Sequence, residues 1–226
     1  MENSTPIYVN VFNRLTTTKN LCDQISRLDN AIPIIIDNNS DYGPLLDWYD
    51  ECKYEIIRLR ENLGHHAPWK CGIVDQDDSK LYGVTDCDLD ISGVPVDLIT
   101  FLSLPLSWSG VIKSGMSLRI DDLPEWQNEV VEWERQWWNR PVHNGTYYYA
   151  LIDTTFAIYN RETPKNIATS VGSKAVRSGH PYVARHMPWY LDAENLDEEN
   201  KHYFRSANSS NSWKPFGKTL SHSKGR

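Results

Sequence analysis

Three aspartates recur at every second position in one short stretch of the chain: Asp86, Asp88 and Asp90. In an extended segment alternate side chains share a face, so the three carboxylates are predicted to lie side by side. Carboxylates this close repel one another in a partly buried cleft, and a divalent cation with oxygen ligands is the simplest compensation. Such an ion could also bridge the two phosphates of a nucleotide diphosphate and stabilise charge on a leaving group. The alternative is a solvated acidic turn.

The elements that precede this acidic stretch predict an α/β fold. Predicted strands cover residues 7–12, 32–36, 55–59 and 81–85, and helical segments between them cover 16–28, 45–52 and 69–74. This alternation implies right-handed crossovers and a parallel sheet, with the polar turn after each strand at one carboxyl edge. Because the aspartates follow the fourth strand, their position favours the metal site over the solvated turn.

The second half of the chain has a different pattern. Helices are predicted at 96–104, 124–138 and 196–204, a strand at 112–120, and a long apolar run at 147–159. Trp126, Trp133 and Trp137 share one face of the second of these helices, which predicts packing into the core. The residues from 206 to 226 are mostly Ser, Asn, Lys and Gly, which predicts a flexible tail.

Composition limits the partners and the compartment. The 226 residues carry a net charge of −7, which argues against a nucleic-acid polymer as the main partner. No apolar run is long enough to span a bilayer and no signal peptide is visible, so we expect no transmembrane segment. The four cysteines include no CxxC pair and are expected to be reduced. We therefore expect a cytoplasmic location. For a protein encoded by a virus, this is the cytoplasm of the host cell.

Four segments in order carry a resemblance to a known family. They are Phe12-Asn13-Arg14, Ile36-Asp37-Asn38-Asn39-Ser40, Asn62-Leu63-Gly64 and Thr85-Asp86-Cys87-Asp88. With these segments the chain resembles family-2-like glycosyltransferases of the GT-A fold. The segments 153–157 and 185–191 are similar to small bacterial and large-virus members. The resemblance implies a Rossmann-like, mixed but mostly parallel sheet flanked by helices. It also implies one domain over 1–205, with a nucleotide-binding half at about 6–105 and an acceptor half at about 106–205.

The resemblance also implies a donor site for a UDP- or GDP-sugar, with Mn²⁺ or Mg²⁺ as cofactor. Metal ligands would be Asp88 and Asp86, joined by His186 from late in the chain. Residues that would bind the nucleotide-sugar are Phe12, Asn13, Arg14, Asp37, Arg60, Asn62, Asp86 and Arg185. Several have plainer alternatives: Asp37 could form an Asx turn, Arg60 could be a surface cation, and Asn62 could belong to a turn only.

Family-2-like enzymes invert at the anomeric carbon, which requires a carboxylate to deprotonate the acceptor hydroxyl. Asp122 is the first candidate, because it ends a predicted strand and begins a helix; it could instead be an N-cap. Asp153 is the second, because an acid inside an apolar run is predicted to be buried and needs a partner or a task. Trp138 and Trp189 are predicted to form a platform for a glycan acceptor.

Two other functions remain open at this point. A nucleotidyltransferase that makes nucleotide-sugars would need a glycine-rich phosphate loop near the start, and residues 10–18 contain no glycine. A non-catalytic sugar-binding module would not need the acidic strand end.

Overall fold

The computed structural model describes residues 4–76 and 78–207. Its strands are β1 (Thr5–Val11), β2 (Ala31–Asp37), β3 (Glu55–Arg58), β4 (Leu81–Asp86), β5 (Leu89–Asp90), β6 (Lys113–Gly115), β7 (Ser117–Leu118), β8 (Pro141–Val142), β9 (Tyr147–Tyr149), β10 (Ala157–Asn160), β11 (Ala175–Ser178) and β12 (Val183–His186). Its α-helices are α1 (Thr16–Ile25), α2 (Gly43–Glu51), α3 (Ala67–Lys70), α4 (Leu98–Ser103), α5 (Asn128–Arg135), α6 (Lys165–Ala168) and α7 (Glu198–Ser206). Short 3₁₀ segments cover Ile73–Asp75, Leu104–Ser107, Glu125–Gln127, Gln136–Trp138 and Met187–Tyr190.

A nine-stranded mixed sheet with order β3-β2-β1-β4-β10-β6-β11-β9-β8 forms the centre of the fold. The first four strands in this order are all parallel, and helical segments connect them. β10 then runs antiparallel to both of its neighbours, β4 and β6. The predicted Rossmann-like mixed sheet with flanking helices is therefore confirmed, and its fully parallel part is the half that precedes the acidic stretch.

Side-chain alternation along the central strands builds a core on each face of this sheet. Ile7 and Val9 of β1 are fully buried and pack in the same cluster as Leu21 of α1. On the opposite face, the rings of Tyr82 in β4 and Tyr159 in β10 stack with their centroids 5.2 Å apart. Because both faces are covered, ligands can approach these strands only at their ends.

The predicted strand at 112–120 is divided in two, so the single-strand prediction is wrong. β6 belongs to the large sheet, whereas β7 joins a second sheet with the order β5-β12-β7. Between them Met116 is fully buried, and its N–H donates to the carbonyl oxygen of Phe156 at 2.8 Å. The chain therefore leaves the large sheet at Met116. β7 then joins the small sheet that also contains β5, the strand that ends at Asp90.

Of the three tryptophans expected in the core, two are exposed, whereas Trp137 is half-buried with its ring centroid 5.6 Å from Arg177 Cζ. Trp126 is 65% exposed and Trp133 is 40% exposed. The buried positions of α5 are Val130 and Glu134, and Glu134 forms a buried ion pair with Arg177 of β11. Burying a charged side chain without a partner of opposite charge is costly. The Glu134–Arg177 ion pair therefore allows this face of α5 to point inward.

The structure describes only part of the region around the predicted C-terminal end of the domain. Ser206, where the flexible tail was predicted to begin, is the last residue of α7. The remainder of that predicted tail, residues 208–226, lies outside the described residues. The division into a nucleotide-binding half and an acceptor half stays a prediction. None of the described helices has the length and apolar character needed to cross a bilayer.

Gly115 allows β6 and β10 to approach closely, and we expect Gly115→Ala to destabilise the fold. A Cβ atom there would lie 2.6 Å from the carbonyl oxygen of Phe156 and 2.9 Å from the Cβ of Ala157. Overpacking of this kind lowers the free energy of unfolding by about 1–3 kcal/mol. Urea denaturation measures the change. Gly93→Ala is the matched control, because nothing lies within 4 Å of its added Cβ; equal effects of the two variants would contradict the prediction.

Candidate active site

The carboxyl ends of β1, β2 and β4 lie side by side and present polar residues at one edge of the sheet. Val11 is paired with Asp37, and Asn10 is paired with Asp86. This is the edge at which open α/β sheets bind ligands. The side chains gathered there are therefore the candidate site.

Asp86 is the last residue of β4 and is held by the loop before β10. The hydroxyl of Thr154 donates to Asp86 Oδ2 at 2.7 Å, and the Asp86 N–H donates to the Thr154 carbonyl oxygen at 3.1 Å. Burial, and next the charge of Asp88, raises the pKa of Asp86 well above its usual range, although hydrogen bonds from Thr154 and Asn10 oppose this. A positively charged neighbour would stabilise the ionised form of a carboxylate in these surroundings.

Asp88 lies in the turn between β4 and β5, beside His186 of β12. The Nε2 atom of His186 is 3.6 Å from Asp88 Oδ1. The two residues meet because β12 pairs with β5, where His186 is opposite Leu89, and because the Met187 N–H donates to the Asp88 carbonyl oxygen at 2.9 Å. Burial lowers the pKa of His186, so its imidazole is neutral, which is the form that binds metals.

Three polar atoms around Asp88 are buried without a hydrogen-bond partner among the described residues. They are Asp88 Oδ1, His186 Nδ1 and Arg14 Nε. The Arg14 Nε atom lies 3.8 Å from Asp88 Oδ2, and the Arg14 side chain is only 3% exposed. Buried polar atoms are nearly always satisfied in folded proteins, so these three atoms are polar groups that a ligand could satisfy.

The donor set at this place fits a divalent cation in part. Within residues 4–76 and 78–207, no three His, Cys, Asp or Glu side chains are grouped closely enough to hold a metal ion. The predicted set of Asp86, Asp88 and His186 is thus not assembled as a triad, because Asp86 is turned to Thr154. A carboxylate oxygen and an imidazole nitrogen nevertheless suit Mn²⁺, whose other positions can be filled by water and phosphate oxygens.

Asp90 is not part of this cluster, so the expectation of three carboxylates on one face is wrong. Its side chain accepts hydrogen bonds from Gln24 and from the Ser92 N–H, both at 2.8 Å. The physical reason is the turn at residues 87–88, which interrupts the strand and ends the alternation on which the prediction depended.

Of the predicted donor-binding turn after β1, only Arg14 reaches the acidic cluster. Asn13 is fully buried, and its side-chain amide donates to Asp41 and Ser206 while its oxygen accepts from two backbone N–H groups. These bonds occupy the amide inside the protein, so its predicted contact with a nucleotide is not available in this arrangement. Phe12 packs edge-on against Tyr203, with the ring centroids 6.5 Å apart.

Asp37 is fully buried, and its carboxylate accepts hydrogen bonds from Tyr49 Oη and Arg58 Nε, both at 3.2 Å. Arg60 and Asn62, which were predicted to bind the nucleotide-sugar, are exposed, and Asn62 accepts from the Gly64 N–H within its own turn. Sequence reasoning missed Arg58, although residues 58 and 60 point to the same side of an extended strand.

Asn38 belongs to the predicted turn after β2, whereas its partner Asn10 was missed as a member of this edge. Asn38 Nδ2 donates to Asn10 Oδ1 at 2.6 Å and to the Gly64 carbonyl oxygen at 3.0 Å. Asn38 Oδ1 accepts from the Leu63 N–H. The pair joins the ends of β1 and β2 to the loop after β3. No local pattern distinguishes such asparagines from ordinary turn residues.

Asp122 and Arg185, predicted as base and phosphate ligand, are paired with each other. Arg185 Nε and Nη2 both lie 2.7 Å from Asp122 Oδ2, and Tyr190 Oη donates to Oδ1 at 2.6 Å. Burial alone would raise the pKa of Asp122, but the bonds from Tyr190 and Arg185 outweigh it and lower that pKa. With both oxygens engaged and its basicity reduced, Asp122 is poorly placed to accept a proton in this arrangement.

Asp153 is exposed, so the prediction that it is buried is wrong. The apolar run at 147–159 is divided into β9 and β10, and Asp153 lies in the loop between them, next to Thr154. Its chain neighbour Thr154 donates to Asp86, which places this part of the loop at the end of β4. The loop therefore brings an accessible carboxylate to the candidate site.

The two predicted acceptor tryptophans do not form a platform at the site. Trp189 is 3% exposed and packs edge-on against His186 at 4.8 Å, so no sugar can stack on it. Trp138 is half-buried between Tyr148 of β9 and His180. Strand β9, against which Trp138 packs, is four strands from β4, which is roughly 19 Å across the sheet at about 4.8 Å per strand.

Comparison with known proteins identifies the fold but no family by sequence. No family model matches the chain, and no curated protein matches it. Among solved structures, GalNAc-T7 with UDP, GalNAc and Mn²⁺ superposes with a TM-score of 0.52 at 12% identity, over 82% of this chain and 44% of that one. S. aureus TarS 1-349 in complex with UDP-GlcNAc gives a TM-score of 0.51 at 11% identity, over 84% of this chain and 62% of that one.

A second S. aureus TarS structure gives a TM-score of 0.50 at 9% identity, over 81% of this chain and 36% of that one. The chain thus spans between about a third and two thirds of the length of these proteins. At such identities the likeness concerns the fold, and the expected resemblance to family-2, bacterial and viral members stays a prediction. The architecture is that of the GT-A glycosyltransferases.

Proposed function

We propose that this protein is a metal-dependent glycosyltransferase that moves a sugar from a nucleotide-diphosphate donor to a hydroxyl group of a glycan or another acceptor. The observation that carries the proposal is the Asp88–His186 pair at the carboxyl end of β4, with partnerless buried atoms on both side chains. The GT-A architecture supports it, because GalNAc-T7 and TarS share that architecture and were crystallised with UDP or a UDP-sugar.

Asp88 Oδ1 and His186 would hold the cation, Mn²⁺ or Mg²⁺, and Asp86 would face it or the donor from its position against Thr154. A cation bound there would stabilise the negative charge that develops on the departing diphosphate. Asn10 is half-buried beside Asp86 and is held by buried Asn38, and the nucleotide of a UDP- or GDP-sugar can lie there along the edge of the sheet. The bound UDP of the structural neighbours favours uridine as the first base to test.

Transfer with inversion needs one proton acceptor on the chain. The acceptor hydroxyl oxygen forms a bond to the anomeric carbon, the bond from that carbon to the diphosphate oxygen breaks, and the hydroxyl proton passes to a carboxylate. Asp153 fits this task better than Asp122. It is exposed and directly precedes Thr154, which donates to Asp86 at the end of β4, whereas Arg185 and Tyr190 occupy both oxygens of Asp122.

We expect Asp88→Asn to weaken Mn²⁺-dependent binding of UDP at least about tenfold, because losing even an outer partner of a metal ligand has an effect of that size. Isothermal titration of UDP and GDP, each with Mn²⁺ and with a chelator, measures it. Asp29→Asn is the matched control, since Asp29 is exposed and precedes β2, at the opposite edge of the sheet. Wild-type protein that binds no nucleotide with metal, or an Asp88→Asn variant that binds as tightly as wild type, would refute the proposed function.

We further expect Asp153→Asn to lower kcat at least about 100-fold while leaving the Kd for the donor unchanged, as loss of a general base does. The assay is release of the nucleotide diphosphate from the tightest-binding donor, with water or an added saccharide as the acceptor. Asp122→Asn should act mainly through stability, which thermal denaturation detects, because it breaks the bonds to Arg185 and Tyr190. A large kcat effect in Asp122→Asn alone would assign the base to Asp122 instead.

A further inference from the structure

Arg14 lies where a cation bound to Asp88 would meet it. The guanidinium Nε is 3.8 Å from Asp88 Oδ2, while His186 faces the other carboxylate oxygen. Arg14 is 3% exposed, so little water screens its charge. We propose that Arg14 is the resident counter-cation of Asp88, that it competes with a divalent ion for this carboxylate, and that helix α7 sets the strength of the competition. This inference rests on the metal site of the proposed function.

Helix α7 holds the guanidinium from the side opposite Asp88. The Arg14 Cζ atom lies 3.7 Å from the centroid of the Tyr203 ring, and Arg14 Nη1 donates to Asn200 Oδ1 at 3.0 Å. The Phe204 ring centroid is 5.9 Å away. A cation over an aromatic face and a hydrogen bond to an amide both favour the position beside Asp88 over one in solvent. Asn200 and Tyr203 are therefore positioning residues for Arg14.

The same helix is attached to the loops at the carboxyl edge of the sheet. Glu199 accepts hydrogen bonds from the Thr16 N–H at 3.1 Å and from the Thr16 hydroxyl at 2.7 Å, which satisfies the first turn of α1. The first turn of α1 therefore takes its side-chain acceptor from α7. His202 Nε2 lies 2.9 Å from Asp41 after β2, and the Ser206 hydroxyl accepts from Asn13. A shift of α7 therefore affects the turns after β1 and β2.

Two linked states follow from these contacts. Without metal, Arg14 neutralises Asp88 and ties α7 to the site. When a divalent ion binds Asp88, like charges repel and Arg14 must withdraw, which weakens one attachment of α7. The two effects are reciprocal. The factor by which a bound cation favours the loosened state of α7 equals the factor by which the loosened state raises the affinity for the cation.

The decisive experiment titrates Mn²⁺ alone into Arg14→Gln, without nucleotide. We expect its affinity for Mn²⁺ to rise at least about tenfold, since one charge beside a carboxylate changes proton binding there by one or more factors of ten. Arg27→Gln is the matched control, because Arg27 is exposed just beyond the end of α1 and loses the same charge. Equal or weaker Mn²⁺ binding in Arg14→Gln than in Arg27→Gln overturns the inference.

A second variant keeps Arg14 in place and tests the role of α7. Tyr203→Leu removes the ring beneath the guanidinium, and we expect Mn²⁺ affinity to rise roughly threefold, with Lys201→Ala on the exposed side of α7 as control. In wild-type protein, Mn²⁺ should speed hydrogen exchange of the α7 amides. No change in exchange, together with an unchanged Tyr203→Leu affinity, counts against the linkage. Nucleotide binding enters neither measurement, so failure here is distinct from failure of the proposed function.

Discussion

The concentration of negative charge at the end of β4 is the constraint on which the site depends. Burial and the neighbouring charge of Asp88 disfavour ionisation of Asp86 and raise its pKa. Three groups compensate for this charge. The Thr154 hydroxyl donates to Asp86, and the Arg14 guanidinium and the His186 imidazole lie beside Asp88. At Asp88 the compensation is incomplete, because Asp88 Oδ1, His186 Nδ1 and Arg14 Nε have no hydrogen-bond partner among the described residues.

Most of the groups that contact these two carboxylates come from distant parts of the chain. They lie in the second half of the fold, which contains the antiparallel strands. β10 places its preceding loop, with Asp153 and Thr154, beside β4. The small sheet formed by β5, β12 and β7 brings His186 to Asp88. Finally α7 crosses the same edge and fixes Arg14. The parallel half thus supplies the acidic residues and Arg14, and the second half supplies Thr154, His186 and the α7 residues that hold Arg14.

Prediction from sequence was reliable where a residue's role depends on local order and failed where it depends on packing. The strands at 7–12, 32–36, 55–59 and 81–85 were each found, because apolar runs bounded by polar turns are a local signal. Asp88 and His186 were placed together through the resemblance, and the structure brings them within 3.6 Å. Asp153 and Trp189 were assigned the wrong exposure, since an apolar run or an aromatic residue does not say where the chain leaves the sheet.

What the sequence by itself determined is the alternating first half with its acidic strand end, because strand periodicity and turn chemistry are written in neighbouring residues. Only the tertiary structure decided which side chains meet those acids. Asn10 and Asn38, the Arg14–Tyr203 contact and the pairing of Asp122 with Arg185 join residues 28 to 189 positions apart. Such contacts arise from the order of strands in the sheet and from the docking of α7, and these follow from burial of the whole apolar surface rather than from any local pattern.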